Sequence, residues 1–217
     1  MNVDRFITPL GTVELDILFK GNNESKSSEH SRIINTQNFM IEIIQFNDIK
    51  NWRAQTIFPI QDSRGWIIRI NKITDDNEGL VITCKLNTED VDIKSFPDSG
   101  EHLDAIWIEN KTHFLSIGTE DADVLRSRAE VKDYMPFRFA NQLGNWLPHN
   151  SFTEYLNLGF KTTLPNLEKN ERLYLHFLVA INPRKKSVEY PDDDDISTNF
   201  AVDYQKRVLI EKLRIKE

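Results

Sequence analysis

The stretch "GEHLDAIWIENKTHF", residues 100–114, holds the densest small group of residues able to move a proton. His102 and Asp104 are two apart, so on a strand they share a face, the arrangement in which a carboxylate orients an imidazole base. His113 opens the following apolar run and, across a hairpin, is expected to lie near them. His176, inside "LYLHFLVAI", shares a face with Tyr174, Leu178 and Ala180. It is either a hydrogen-bonded core histidine or, with Tyr174, part of a cavity lining.

Two acidic groups invite a metal reading. "GTEDAD" (118–123) carries Glu120, Asp121 and Asp123. On a helix start, Glu120 and Asp123 are neighbours and Asp121 points elsewhere, so helix-start electrostatics explains the group better than a shared ion. "NPRKKSVEYPDDDDIST" (182–198) sets Arg184, Lys185 and Lys186 before Asp192, Asp193, Asp194 and Asp195. Calcium loops draw ligands from alternate residues around a glycine, and this run has neither, so a charged surface connection is expected.

"RSRAEVKDYMPFRF" (126–139) interleaves Arg126, Arg128, Lys132 and Arg138 with Tyr134, Phe137 and Phe139, a composition able to stack on and pair with an anionic partner. Glu130 and Asp133 lie among these bases and weaken any phosphate site. Trp52 and Trp146 stand in polar surroundings and are candidate exposed recognition residues, whereas Trp66 and Trp107 sit in strand patterns. No Gly-rich phosphate loop, HExxH, G-x-S-x-G or EF-hand spacing occurs. The single cysteine, Cys84, lies in "GLVITCKL" and is expected to be a buried, inert thiol.

The elements that must hold these residues are mainly strands. "TVELDILFK" (12–20) puts Val13, Leu15, Ile17 and Phe19 on one face. "FMIEIIQF" (39–46) is apolar on both faces, as in a central strand, and "ERLYLHFLVAIN" (171–182) is the longest apolar run. "GWIIRINKI" and "GLVITCKL" flank "TDDNEG" and suggest a hairpin; 104–110 and 112–117 suggest a second. A helix is expected over about 119–131, capped by Thr119, and a short one near "SFTEYL". "NESKSSEHS" (23–31) has loop composition, 196–205 is expected to be a closing strand, and 206–217 is expected to be either a last strand or a short amphipathic helix.

The whole is expected to be a single mainly β domain, residues 1–217: an antiparallel β-sandwich or open barrel with one embedded helix. The net charge of −7 argues against nucleic acid and anionic membranes as partners. No run is long enough to span a bilayer and the first residues lack a signal pattern, so a soluble, cytoplasmic protein without a cofactor is expected. The functional expectation is a non-catalytic binding or assembly protein that meets another protein or itself through loops, with 21–38, 87–103, 140–151 and 182–195 as the longest candidates. The alternative is an enzyme or small-molecule carrier whose pocket is lined by His102, Asp104, His113 and His176.

Overall fold

The computed structural model describes residues 1–21, 23–28, 31–46, 59–100, 103–143, 151–187 and 193–204. Alternating burial dominates. In β2 (Gly11–Leu18), Val13, Leu15 and Ile17 are buried while Leu18 faces solvent, the signature of a strand with one wet side. β2 belongs to a five-stranded antiparallel sheet. Its order is β1 (Asn2–Thr8), β2, β7 (Leu80–Asn87), β12 (Gly159–Leu164) and β11 (Thr153–Leu156).

The second sheet has eight strands. It runs from β3 (Asn23–Ser27) and β4 (Ser31–Thr36) through β5 (Phe39–Phe46) and β6 (Asp62–Lys72) to β13 (Arg172–Pro183). It continues with β10 (His113–Glu120), β9 (Leu103–Glu109) and β8 (Lys94–Gly100). The two open sheets form a β-sandwich, as the patterning predicts. One core joins their facing sides: Leu15, Ile17, Ile82 and Cys84 from the small sheet meet Ile41, Trp66, Ile68, Leu115 and Phe177 from the large one. The long apolar run 171–182 is β13, near the middle of the large sheet.

Several expectations change. β6 and β7 are not a hairpin but lie in different sheets, so 73–79 is a crossing between layers. Glu78 anchors that crossing, accepting from the Lys20 and Asn38 nitrogens, while Thr74 donates to Asn38 at 2.6 Å. β5 is internal to its sheet but buries only one face; Met40 is exposed. The polar 23–31 segment contains β3, an exposed edge strand, and the 87–103 loop contains β8, the opposite edge. "TEYL" is strand β11 rather than helix. Residues 197–204 form a helix rather than a strand, and the 206–217 expectation lies outside the described residues.

That helix roofs part of the large sheet's outer face. Ala201 and Val202 pack with Leu103, Ala105, Leu178 and Ala180, and Ser116 donates to Thr198 at 2.9 Å. Gly118 makes room: a Cβ there would stand 2.3 Å from a methyl of Val202. The second predicted hairpin is present, with Phe114 paired to Glu109 and the Asn110 side chain accepting from the Thr112 and His113 amides.

Candidate functional site

β10 runs further than its apolar pattern suggests, so Thr119 and Glu120 are strand residues and the helix cap moves on. Asp121 is the N-cap, accepting from the Val124 amide at 2.7 Å, and α1 spans Ala122–Glu130. Thr119 instead donates to the His176 carbonyl at 2.8 Å. Glu120, on the same strand face as Ser116 and Gly118, is buried beneath α1.

Arg128 returns from the far end of α1 to meet Glu120 at 2.6 Å, and both are buried. Its guanidinium also donates to the carbonyls of Asp133, Tyr134 and Tyr174 at 3.3, 3.3 and 3.1 Å, and lies 3.5 Å from the Tyr174 ring centre. A planar five-donor group suits such a junction as no lysine would. His176 Nδ1 stands 3.6 Å from Glu120, within ion-pair range but too far for a hydrogen bond. The junction ties together the end of β10, the middle of β13 and the loop after α1.

That loop is bent sharply. Lys132 follows the helix with φ 57°, the left-handed position usually given to glycine, and its amide and that of Asp133 close back onto Ala129 and Arg128 carbonyls. Tyr134 has φ 44°, which costs a bulky residue on the order of 1–3 kcal/mol. Two bonds hold it: its carbonyl accepts from Arg128 and from the Tyr174 amide at 3.2 Å. Asn170, with φ 69°, faces it across the same depression.

Two cavities, of about 500 and about 270 Å³, have Tyr134 and Arg172 in common as lining residues, and the two together are called the trough. The larger is walled by Lys132, Met135, Pro136, Phe137 and Glu171; the smaller opens onto the sheet at Met40, Glu42, Arg69 and Asn71. Sheet register sets this floor, pairing Met40 with Asn71 and Asn71 with Arg172. Glu42 is paired to Arg69 at 3.2 Å and Glu171 to Arg138 at 2.6 Å. Burial works against ionisation of Glu171, but the Arg138 hydrogen bond, the Glu168 amide and the Arg138 charge together outweigh it and lower its pKa. The loop beside the trough exposes Val131 (74%), Phe137 (54%) and Tyr134 (38%), an apolar set on one short segment.

The residues singled out in the sequence disperse. Asp104 accepts from the Tyr155 hydroxyl at 3.1 Å on the side of the five-stranded sheet; burial, then the Asp104 charge, pushes that phenol's pKa up. Asp104 is paired with Thr119, which places His113 six residues away along β10, roughly 20 Å at ~3.4 Å per residue. His113 is half-buried and contacts the Thr112 hydroxyl at 2.9 Å. His176 and Tyr174 are buried on the opposite sheet face and are not among the residues that line the trough. Asp104, His113 and His176 therefore do not converge. His102, Trp52, Trp146 and Asp192 lie outside the described residues.

The aspartate run is consumed internally. Asp194 pairs with Arg184 at 2.6 Å and Lys186 at 3.3 Å, Asp195 pairs with Lys185 at 3.1 Å, and Ser187 donates to the Asp193 carbonyl at 2.9 Å. Among the described residues no group of three metal-ligating side chains gathers. Cys84 is fully buried and its pKa is raised, by desolvation first and the Asp16 charge second. The 126–139 stretch divides: Arg126, Arg138 and Phe139 serve packing and ion pairs, while Lys132, Tyr134 and Phe137 face the trough. Composition pointed to that segment; the sheet-floor residues Met40, Asn71 and Arg172 carry no local signal, because only strand register assembles them. No protein-family model, curated protein or solved structure matches the chain.

Proposed function

We propose that the protein is a non-catalytic binding or assembly module on a β-sandwich, and that it meets its partner at the trough formed by the 131–137 loop and the outer face of the large sheet. The observation that supports this best is the clustering of strain. Lys132, Tyr134 and Asn170, all non-glycine residues in the left-handed region, surround one depression, and a buried arginine is spent on fixing it. Backbone strain collects where a surface must be presented in one shape. The exposed aromatics on the same loop are the residue types that anchor interfaces. The alternative, a pocket enzyme or carrier lined by His102, Asp104, His113 and His176, gains no support from the three described groups, since Asp104 and His113 stand far apart along one sheet face and His176 lies on the other.

Site-directed photocrosslinking in the native host tests the reading. A photoreactive side chain at position 137 is expected to give a discrete crosslinked product, absent when the probe sits at the more exposed position 91. Tyr134→Gly, which relieves the left-handed strain while removing the ring, is expected to keep or raise the melting temperature and to abolish that product. Identical products from both positions would sink the proposal.

A further inference from the structure

The trough carries an unbalanced charge. Its two carboxylates are occupied: Glu42 by Arg69, Glu171 by Arg138. Its remaining cations, Lys132 and Arg172, are exposed and have no carboxylate within ion-pair distance among the described residues. Lys132 lies 6.0 Å from the centre of the exposed Phe137 ring. A positive, aromatic-edged depression on a chain of net charge −7 is a local exception to the molecule's field.

Resting on the binding-module reading, we propose that the occupant is an acidic, extended peptide segment of a protein partner. Its carboxylates meet Lys132 and Arg172, and an apolar side chain lies against Tyr134 and Phe137. Shape supports a chain rather than a compact ligand. The trough crosses from β5 over β6 to β13, roughly 10 Å at ~4.8 Å per strand, and continues onto the loop, a span that takes at least about three extended residues. Charge spacing favours peptide over nucleic acid. A phosphodiester strand carries a charge at every unit and would bring several against Glu42 and Glu171, whereas a peptide can set its acids only where cations stand.

Fluorescence anisotropy with labelled peptides tests this on the full chain. The probes are a peptide alternating glutamate with leucine and tryptophan, its glutamine analogue, its lysine analogue, and an oligothymidylate. The acidic peptide is expected to bind at least about tenfold more tightly than the glutamine analogue, with affinity falling as salt rises. Arg172→Glu and Lys132→Glu, both at exposed positions, are each expected to weaken it about tenfold or more while leaving the circular-dichroism melt unchanged. Equal binding of the glutamine or lysine analogue, tighter binding of the oligonucleotide, or indifference to Arg172→Glu would overturn the charge assignment. If the glutamine analogue binds equally well but Phe137→Ser removes it, the acidic-peptide inference falls and the binding-module reading stands. If no peptide binds, the inference is overturned, and the photocrosslinking at 137 decides separately whether the module reading falls with it. Self-association seen by light scattering and abolished by Arg172→Glu would overturn it in favour of a second copy of this chain.

Discussion

Arg128 donates to Glu120 and to three backbone carbonyls, so Arg128→Met leaves a buried carboxylate without its guanidinium partner and takes one donor from each of those three carbonyls. Breaking a buried pair from one side costs about 3–5 kcal/mol, and urea unfolding is expected to show a loss of that order. Glu120→Leu together with Arg128→Met should recover part of it, but not all, because the carbonyls of Asp133, Tyr134 and Tyr174 still lose the guanidinium donor. The pair was hidden in the sequence for a definite reason. Glu120 looks like a helix-start acid beside Asp121 and Asp123, and nothing local tells that the strand continues to it. Lys72 is the reverse case. It is fully buried on the core side of β6, its ammonium rests 4.3 Å from the Phe39 ring centre, and no hydrogen-bond acceptor reaches it among the described residues. Lys72→Met keeps the aliphatic stem and removes the unsatisfied group, so a gain of about 1–3 kcal/mol in unfolding free energy is expected.

At the scale of elements, strand faces were legible and strand partners were not. The alternation in 12–18 and 80–86 identifies β2 and β7 and the residues they bury, because period-two burial is a local property. "TDDNEG" reads as a hairpin turn, but turn chemistry does not say which sheet the next strand joins, and here it joins the other layer. The 197–204 helix was missed because its apolar residues, Ala201 and Val202, serve only a narrow contact. That contact depends on Gly118. With Val202 2.3 Å from any added Cβ, Gly118→Ala should lift the helix off β10. Overpacking of this kind costs about 1–3 kcal/mol. Limited proteolysis is expected to cut the variant within 197–204 sooner than the parent, while the 113–120 strand stays protected; equal cutting rates would show that the helix yields without unseating.

At the scale of the whole molecule, the sandwich was legible because two wide antiparallel sheets need only many half-buried strands, whereas the trough was not, because it exists only where β5, β6, β13 and the 131–137 loop meet. The same holds for the charged run at 184–195. As sequence it separates bases from acids; folded, it closes on itself through Arg184, Lys185, Lys186, Asp194 and Asp195. Partial burial disfavours ionisation of both aspartates, but hydrogen bonds and the charges of the neighbouring bases together outweigh it and lower their pKa: Lys186 and Arg184 at Asp194, Ser197 and Lys185 at Asp195. A carboxyl whose pKa is lower in the folded chain binds fewer protons there than in the unfolded chain. Its contribution to stability is then complete above the unfolded carboxylate value, about 4, and is lost as pH falls through the lowered folded value. Asp194→Asn with Asp195→Asn should therefore unfold at lower urea than the parent at pH 7, and the two midpoints should converge as the pH is taken below about 4. A gap that stays constant down to acid pH would mean that the substitutions act through something other than the carboxylate charge; no gap at pH 7 would mean that the backbone bonds, Ser187 to Asp193 and Asp195 to Lys185, hold the clasp without it.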